Sequence, residues 1–271
     1  MIIDDIDFAE MYRTHITLAS RRPKPPEDWD KRAEDMAKSC GDAHNPYVAA
    51  FVGKMDLAGA ETLLDVGCGP GTICLPLAHQ MKRLYALDYS KGMLNVLERR
   101  AREEYLNNVQ TILKSWDDDW SDVPQCDIVV ASRATMVGDI EKALRKISSK
   151  AKKAVYTTFT VDKHFIDPTV AECLNKKTVG FPNYLYAVNV LDRIGYLPCV
   201  DYIATVVYKK PPSGFDAFMR NILWSVGEVD EEETARLKQY YERHLDDGQP
   251  PQPFMKTWAF VYWRVDQERR V

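Results

Sequence analysis

The sequence of 271 residues lacks the features of several protein classes. Its six cysteines form no Cys-x-x-Cys pair, and none of the five histidines lies near them at the spacing of zinc ligands. No apolar run approaches the ~18 residues that a bilayer-spanning helix needs. Asp4 and Asp5 stand where a secretory signal would carry basic residues. We therefore predict reduced thiols, no metal site, no membrane segment and a cytoplasmic location.

The sequence also lacks an excess of basic residues. The 36 Lys and Arg against 40 Asp and Glu leave a formal net charge of −4. This balance argues against broad, sequence-independent binding to nucleic acid, although a single basic face is compatible with the total. Apolar residues make up 45% of the chain. At roughly 150 residues per domain, the chain length predicts one large domain or a domain with an attached subdomain.

After residue 60, short apolar runs alternate with helical patterns, which is typical of β-α-β units and a doubly wound, mostly parallel sheet. Seven strands are predicted, at 62–66, 84–87, 109–113, 127–131, 154–160, 202–209 and 257–265. The predicted helices between them cover 71–81, 92–105, 140–147 and 184–194. The last strand follows a helical insert at about 211–255, so we expect it to be an antiparallel edge partner of the strand before it.

Three helical patches precede residue 60, at 7–19, 28–39 and 46–57. The stretch 21–27 contains three prolines, which interrupt any helix there. We predict an N-terminal helical cover over residues 1–58 and an α/β domain over residues 59–271.

The most informative segment follows the first strand and reads Asp-Val-Gly-Cys-Gly-Pro-Gly-Thr over 65–72. Glycine lets a backbone turn tightly and approach a ligand without a Cβ in the way. A helix expected to begin at Gly71 offers unpaired N–H groups. Asp88 lies 21 residues after Gly67, at the end of the second strand, where a carboxylate can accept both ribose hydroxyls. Glycines also serve plain tight turns, but together with Asp88 they predict an adenosine-type ligand.

Two ligands of that type compete for the loop. Dinucleotide sites use Gly-x-Gly-x-x-Gly, whereas Gly67, Gly69 and Gly71 are spaced Gly-x-Gly-x-Gly and Thr72 takes the place of the third glycine. Asp65 would repel a pyrophosphate and attract an ammonium group. A ligand with ribose, adenine and a cationic amino-acid end fits better, so a nicotinamide oxidoreductase is the weaker interpretation.

These residues resemble the first motif of the class I S-adenosylmethionine-dependent methyltransferases. The segment Ala-Leu-Asp-Tyr-Ser at 86–90, with Met93 and Leu94 after it, is similar to the segment that follows that motif. The resemblance covers about residues 45–160 well. It implies a Rossmann-like methyltransferase fold for residues 59–271, S-adenosylmethionine as cofactor and S-adenosylhomocysteine as product.

The resemblance also implies roles for individual residues. Asp65 would lie near the methionyl amino group, the glycines beneath the cofactor, Asp88 at the ribose, and Tyr89 and Met93 beside adenine. The acid that meets the adenine amino group would be Asp117, with Asp118 and Asp119 as alternatives, unless this triplet is simply an exposed turn. The predicted cofactor-binding set is Asp65, Gly67, Cys68, Gly69, Gly71, Asp88, Tyr89, Ser90, Met93, Trp116, Asp117 and Ser132.

Methyl transfer needs in-line alignment and a dry pocket more than acid–base groups, so no catalytic triad is expected and no catalytic residue is assigned. Methylases of nucleic acid bases or protein amides resemble one another in an Asn/Asp-Pro-Pro-Tyr/Phe segment after the fourth strand. Here that place reads Ala-Ser-Arg-Ala at 131–134, and the similar Asn-Pro-Tyr at 45–47 is interpreted as a helix start. We predict a small-molecule acceptor; an RNA or protein methyltransferase, or a cofactor-binding regulatory protein without activity, are the alternatives.

Three residues are candidates for the substrate side. Arg133 would bind a carboxylate or phosphate of the substrate, or else form a salt bridge with Asp139. His164, like His15, is either a general base or an ordinary surface or core residue. Trp29, within the segment 29–33, and the insert helices at 214–246 are predicted to form walls or a lid over a substrate cavity. The insert aromatics would form a subdomain core, a free edge for a planar molecule or a homodimer contact; they are Phe215, Phe218, Trp224, Tyr240 and Tyr241.

Overall fold

The computed structural model describes residues 2–19, 23–40, 45–163, 166, 168–174, 179–207, 214–246 and 254–266. The strands are β1 (Thr62–Val66), β2 (Arg83–Asp88), β3 (Val109–Leu113), β4 (Cys126–Ala131), β5 (Ala151–Thr160), β6 (Cys199–Val207) and β7 (Phe254–Arg264). The helices are α1 (Phe8–Leu18), α2 (Pro26–Asp30), α3 (Ala33–Cys40), α4 (Pro46–Gly53), α5 (Cys74–Leu77), α6 (Lys91–Glu103), α7 (Ile140–Lys150), α8 (Pro168–Leu174), α9 (Tyr184–Arg193), α10 (Phe215–Val226) and α11 (Glu231–Asp246).

The seven strands form one sheet in the order β3-β2-β1-β4-β5-β7-β6. The first five strands are parallel, and β7 runs antiparallel to both of its neighbours. The predicted doubly wound α/β sheet with an antiparallel closing strand is therefore confirmed. The expected edge position of that strand is wrong, because β7 lies between β5 and β6. Burial explains its place: Phe260 and Trp263 of β7 are fully enclosed, whereas Tyr202 of the edge strand β6 is exposed.

Several helix boundaries differ from the sequence-based expectation. The helix expected at 71–81 begins only at Cys74, because the chain turns through left-handed backbone conformations up to Gly71. The patch predicted at 28–39 is two helices, α2 and α3, separated by a turn in which the Arg32 N–H donates to the Trp29 carbonyl. Helix α8 was not predicted.

Apolar side chains fill both faces of the sheet. One face is covered by α4, α5 and α6, with Phe51 and Leu97 in its core, and the other by α1, α7 and α9, with Leu144 and Leu191. A third, separate cluster joins α8, α10 and α11 through Ile166, Val170, Leu174, Ile222 and Leu237. Burial of each large apolar side chain stabilises the fold by about 1.5–3 kcal/mol.

The N-terminal helices pack at three different places on this framework. On α4, the Phe51 ring meets Phe260 edge to face at 5.1 Å. On α1, the Tyr12 hydroxyl donates to the Val137 carbonyl at 2.7 Å. Helix α3 places Ala33 against Met93 of α6. The division of the chain at residue 58 stays a prediction.

Within the described ranges, no helix combines the length and the apolar character that crossing a bilayer requires.

Candidate active site

The loop after β1 turns through three glycines with positive φ angles of +66°, +55° and +89° at Gly67, Gly69 and Gly71. A Cβ at Gly67 would lie 2.4 Å from the Ala134 Cβ, and one at Gly71 would lie 2.6 Å from the Leu75 Cγ. A Cβ at Gly69 would meet no described atom within 4 Å. Two of the glycines therefore allow close packing of the loop, and Gly69 is the one that borders open space.

The backbone N–H groups of this loop already donate to acceptors inside the protein. The bonds run from Gly67 and Cys68 to the Leu87 carbonyl (2.7 and 3.1 Å), from Gly69 to Asp88 Oδ2 (2.9 Å) and from Gly71 to the Cys68 carbonyl (3.1 Å). A phosphate-binding loop instead points several N–H groups at its ligand. This loop is consequently a poor site for a pyrophosphate, which agrees with the sequence-based preference against a dinucleotide.

The Asp65 carboxylate is buried at the end of β1, with 1% of the residue exposed. Its Oδ2 has no hydrogen-bond partner in the part of the chain that the structure describes. Burial raises the pKa of Asp65 to about 7; hydrogen bonds from Cys74 oppose the rise, and repulsion from Asp88 adds to it. A buried charge without a partner is unfavourable. The arrangement is therefore suited to a cationic ligand.

Asp88 ends β2 with its carboxylate held by the backbone. Oδ1 accepts from the Ser90 N–H and Oδ2 from the Gly69 N–H, each at 2.9 Å. Burial raises the pKa of Asp88, these N–H bonds lower it, and the nearby Asp30 carboxylate raises it. Each carboxylate oxygen has capacity for a further donor, so Asp88 can accept hydroxyl groups without giving up its backbone bonds.

Asp30 is a residue of this site that was not singled out from the sequence. Its Oδ1 accepts from the Ser90 hydroxyl at 2.5 Å and from the Gly92 N–H at 2.8 Å, at the start of α6. A Cβ at Gly92 would lie 2.7 Å from the Asp30 Cα. The glycine in the first turn of α6 was the available signal, because glycine is unfavourable in a helix unless another backbone approaches closely.

The N-terminal segment and the insert meet at Trp29 and Trp224. Their rings pack edge to face with centroids 5.1 Å apart. Lys24 Nζ and the Arg32 guanidinium lie 3.9 and 4.2 Å from the centroid of Trp224. The Trp29 Nε1 is buried without a hydrogen-bond partner in the described ranges. The two segments predicted as walls are thus in contact, beside the start of α6.

The remaining aromatic residues of the insert pack on one another. Phe218 lies 5.4 Å from Tyr241 and 6.2 Å from Tyr240, and Phe215 lies 5.6 Å from Tyr241, centroid to centroid. Phe218 and Tyr240 also pack against the cluster of α8, α10 and α11, but all four side chains are half-buried, so the choice between a subdomain core, a free edge and a dimer contact stays a prediction.

The predicted adenine-side residues lie at two places. The Tyr89 hydroxyl donates to the Lys24 carbonyl at 3.1 Å, and Met93 is buried against Ala33. Trp116 is half-buried after β3, and its Nε1 donates to the Ala134 carbonyl at 3.0 Å. The structure thus ties Trp116 to the loop after β4 that also contacts Gly67.

The acidic triplet after Trp116 forms an exposed turn. Asp118 accepts from the Ser115 N–H, and Asp119 accepts from the Ser121 N–H, so both carboxylates act within the turn. The backbone N–H of Asp117 donates to the Ser115 hydroxyl, and its side chain is exposed.

At the end of β4, Ser132 and Arg133 meet a buried tyrosine. The Tyr47 hydroxyl lies 2.7 Å from Ser132 Oγ and 2.8 Å from Thr158 Oγ1. Arg133 has a φ of +57°, donates its N–H to Thr158 Oγ1 at 2.9 Å and places its guanidinium 4.4 Å from the Tyr47 centroid. Asp139, the alternative partner considered for Arg133, forms an ion pair with Arg13 at 3.4 Å.

Tyr47 was placed correctly at a helix start but not at this site. Asn45 accepts from the Tyr47 N–H at 2.9 Å and caps α4 with Pro46 in the first turn, as the sequence indicates. The contact of the Tyr47 hydroxyl with Ser132 joins positions 85 residues apart, so no local sequence pattern indicates it.

The two histidines considered as bases have different outcomes. His15 Nδ1 lies 3.0 Å from the Tyr186 hydroxyl and the two rings pack edge to face, at the contact of α1 with α9. His164 lies outside the described residues. Among those that are described, no group of three or more His, Cys, Asp or Glu could hold a metal ion, and Cys68, Cys74 and Cys126 are buried free thiols.

The sequence around this site is similar to known proteins. A family model for a methyltransferase domain matches residues 63–154. A protein of Haemophilus influenzae described as uncharacterized is 37% identical over 267 residues, which are 98% of this chain and 100% of that protein. A probable cobalt-precorrin-6B C(15)-methyltransferase (decarboxylating) of Methanothermobacter thermautotrophicus is 27% identical over 142 residues, 51% of this chain and 68% of that protein.

A solved structure has the same fold. The YcgJ protein of Bacillus subtilis superposes with a TM-score of 0.57 at 14% identity, covering 82% of this chain and 98% of its own. The matched domain model spans the glycine loop, Asp88 and the strands β1 to β4. The family model shows that this chain contains a methyltransferase domain over residues 63–154, and its seven-stranded sheet has the Rossmann-like methyltransferase fold.

Proposed function

We propose that this protein transfers the methyl group of S-adenosylmethionine to a small-molecule acceptor. The observation that carries the proposal is the pair of buried carboxylates at the ends of β1 and β2. Among the described residues, Asp65 Oδ2 has no hydrogen-bond partner. Asp88 Oδ2 accepts from the Gly69 N–H at 2.9 Å and can accept a further hydrogen bond. An ammonium and a pair of ribose hydroxyls on one ligand complement these two groups.

The residues present fit this cofactor. Asp65 Oδ2, which has no partner in the described part of the chain, suits the methionyl ammonium, and the open space at Gly69 admits a ligand against the backbone. When bound, S-adenosylmethionine supplies a methyl group activated by its positively charged sulfur. The chain's own contribution is to bind, orient and exclude water. We assign that binding to the full set predicted from the sequence, from Asp65 to Ser132, with Asp30 added.

Exclusion of water is the role we propose for the N-terminal cover and the insert. The contact of Trp29 with Trp224 joins α2 to α10, and Asp30 holds α2 to the start of α6 beside Asp88. Together these contacts cover the side of the site at β2. A covered site favours a small acceptor, as do the net charge of −4 and the Ala-Ser-Arg-Ala segment after β4.

Isothermal titration calorimetry with S-adenosylmethionine tests the proposal. We expect the wild-type protein to bind, and Asp88→Asn to bind at least about tenfold more weakly, because a charged hydrogen-bond acceptor contributes about 1.5–3 kcal/mol. Asp122→Asn is the matched control, since its exposed carboxylate pairs with Lys114 on the surface. Circular dichroism verifies that each variant is folded. Absence of binding by the wild type would refute the proposed function.

A further inference from the structure

We propose that the methyl acceptor carries a carboxylate, and that it binds beside Arg133, Tyr47, Trp258 and Lys256, which we name the cation–aromatic row. The inference rests on the proposed function and adds the chemical class of the acceptor. The four side chains come from the β4 end, from α4 and from the beginning of β7. None of the cofactor-binding assignments includes Tyr47, Trp258 or Lys256.

The row runs along the edge of the sheet where the parallel strands end. The Arg133 guanidinium lies 4.4 Å from the Tyr47 ring centroid, and the Tyr47 and Trp258 rings are 6.4 Å apart. Lys256 Nζ lies 5.6 Å from the Trp258 centroid. Trp258 is paired with Thr160 at the end of β5, so the row lies at the ends of β4 and β5, next to the glycine loop. Acceptors of parallel-sheet enzymes bind at this edge.

The centre of the row is rigid. Tyr47 is 3% exposed, and its hydroxyl is held by Ser132 and Thr158. Arg133 stands over it in a left-handed backbone conformation that costs a non-glycine residue about 1–2 kcal/mol. Strain of this kind persists where the surroundings impose it and is frequent at ligand sites. The strained backbone and the fixed ring together orient the side chain of Arg133, an exposed residue.

Lys256 gives the row a second cationic side chain, which is buried and paired with a carboxylate. The residue is 7% exposed, and its Nζ lies 3.4 Å from Asp162 Oδ2. Burial lowers the pKa of Lys256, and Asp162 raises it. A buried ammonium is unfavourable away from negative charge. Asp162 supplies that negative charge, so Lys256 borders the row as a paired cation at the ligand-binding edge, on the same face of β7 as Trp258.

The charges of the site are divided between its two sides. Asp65 and Asp88 form the negative side, and Arg133 forms the positive side together with Lys256, whose charge is paired with Asp162. The two sides adjoin: burial raises the pKa of the Tyr47 hydroxyl, Arg133 opposes the rise, and Asp65 adds to it. A cationic cofactor and an anionic acceptor complement this division. Two cations in a protein of net charge −4 are too few for a nucleic acid backbone, whereas a guanidinium matches a carboxylate in a bidentate geometry.

The probes are 4-fluorobenzoate and 4-fluorobenzamide, which have the same shape and differ in charge. Each is titrated by fluorine NMR into the full-length protein saturated with S-adenosylhomocysteine. We expect the benzoate to bind at least tenfold more tightly than the benzamide. Arg133→Gln should lose at least tenfold in benzoate affinity, whereas the control Arg145→Gln, which removes a surface pair with Glu141, should not. Lys256→Met should weaken benzoate binding as well.

Calorimetry with S-adenosylhomocysteine separates this inference from the proposed function. We expect Arg133→Gln to bind it within twofold of the wild type. If Arg133→Gln instead loses tenfold here, the guanidinium serves the cofactor and the inference is wrong. Equal binding of benzoate and benzamide by the wild type would also overturn it. Failure of the wild type to bind S-adenosylhomocysteine would count against the proposed function itself. Since Arg133 is exposed, its variant remains informative even where Lys256→Met fails to fold.

Discussion

Asp65 shows how one residue can favour ligand binding at the expense of stability. Its carboxylate is enclosed at the end of β1 and repelled by Asp88, and its Oδ2 has no hydrogen-bond partner within the ranges that the structure describes. These features raise its pKa from the ordinary value of 3.8 to about 7. Without a cation nearby, the ionised form therefore destabilises the folded protein, and the same feature makes the site selective for a positively charged ligand.

The sign of the resulting pH dependence follows from the raised pKa. Between pH 4 and 7 the folded protein holds a proton on Asp65 that the unfolded chain has lost, so the free energy of unfolding falls as pH rises through this window and is level above it. We expect the ligand-free wild type to lose on the order of 2 kcal/mol more than Asp65→Asn between pH 5 and 8. Urea denaturation across this range measures the difference. Parallel curves for the two proteins would show that Asp65 ionises normally.

At the level of elements, the loop between β1 and α5 combines two kinds of glycine. Gly67 permits the close approach of Ala134 from the loop after β4, whereas Gly69 borders open space. Both have a positive φ. The loop is thus built partly for packing between strand ends and partly for access of a ligand to the backbone.

Alanine substitutions should separate these two roles. Gly67→Ala adds a contact at 2.4 Å to the backbone strain, and we expect a loss of about 3 kcal/mol in unfolding free energy. Gly69→Ala carries the strain alone and should lose about 1–2 kcal/mol, yet bind S-adenosylmethionine at least about tenfold more weakly because its methyl group occupies the open space. Urea denaturation and calorimetry provide the measurements. Equal stability losses would contradict the packing role of Gly67.

At the scale of the whole molecule, the insert and helix α8 form an apolar cluster separate from the sheet. Helices α8, α10 and α11 share it, and Arg236 adds hydrogen bonds to the carbonyls of Cys173 and Leu174. The sheet is stabilised by the two larger clusters on its faces. We infer that the insert can open without unfolding of the sheet.

Leu97 and Leu237 are both fully buried. Leu97 lies in the core between α6 and the sheet, and Leu237 lies in the insert cluster. Truncation to alanine typically costs 2–5 kcal/mol at such sites. We expect Leu97→Ala to increase hydrogen exchange throughout β1, β2 and β4, and Leu237→Ala to increase it in 215–246 while those strands stay protected. If Leu237→Ala exposes the strands equally, the insert and the sheet unfold as one unit.

The sequence by itself determined most of the sheet and indicated a ligand site. β1 and β3 were predicted with their observed ends, because strand patterns are local properties of the chain. A loop of fixed spacing is equally local, and the cofactor-binding roles that it predicts for Asp65 and Asp88 stay predictions. The short helix α8 was missed because its apolar side chains face α10 and α11, far along the chain. The late start of α5 was missed because left-handed glycines at the alternate positions 67, 69 and 71 delay it.

Only the tertiary structure decided which distant residues complete the site. Asp30 reaches Gly92 across 62 positions, Tyr47 reaches Ser132 across 85 and Thr158 across 111, and Trp29 meets Trp224. It also decided that β7 lies inside the sheet. The physical reason is that these contacts arise from burial between elements that meet only when the whole core assembles, and no local pattern encodes such a meeting.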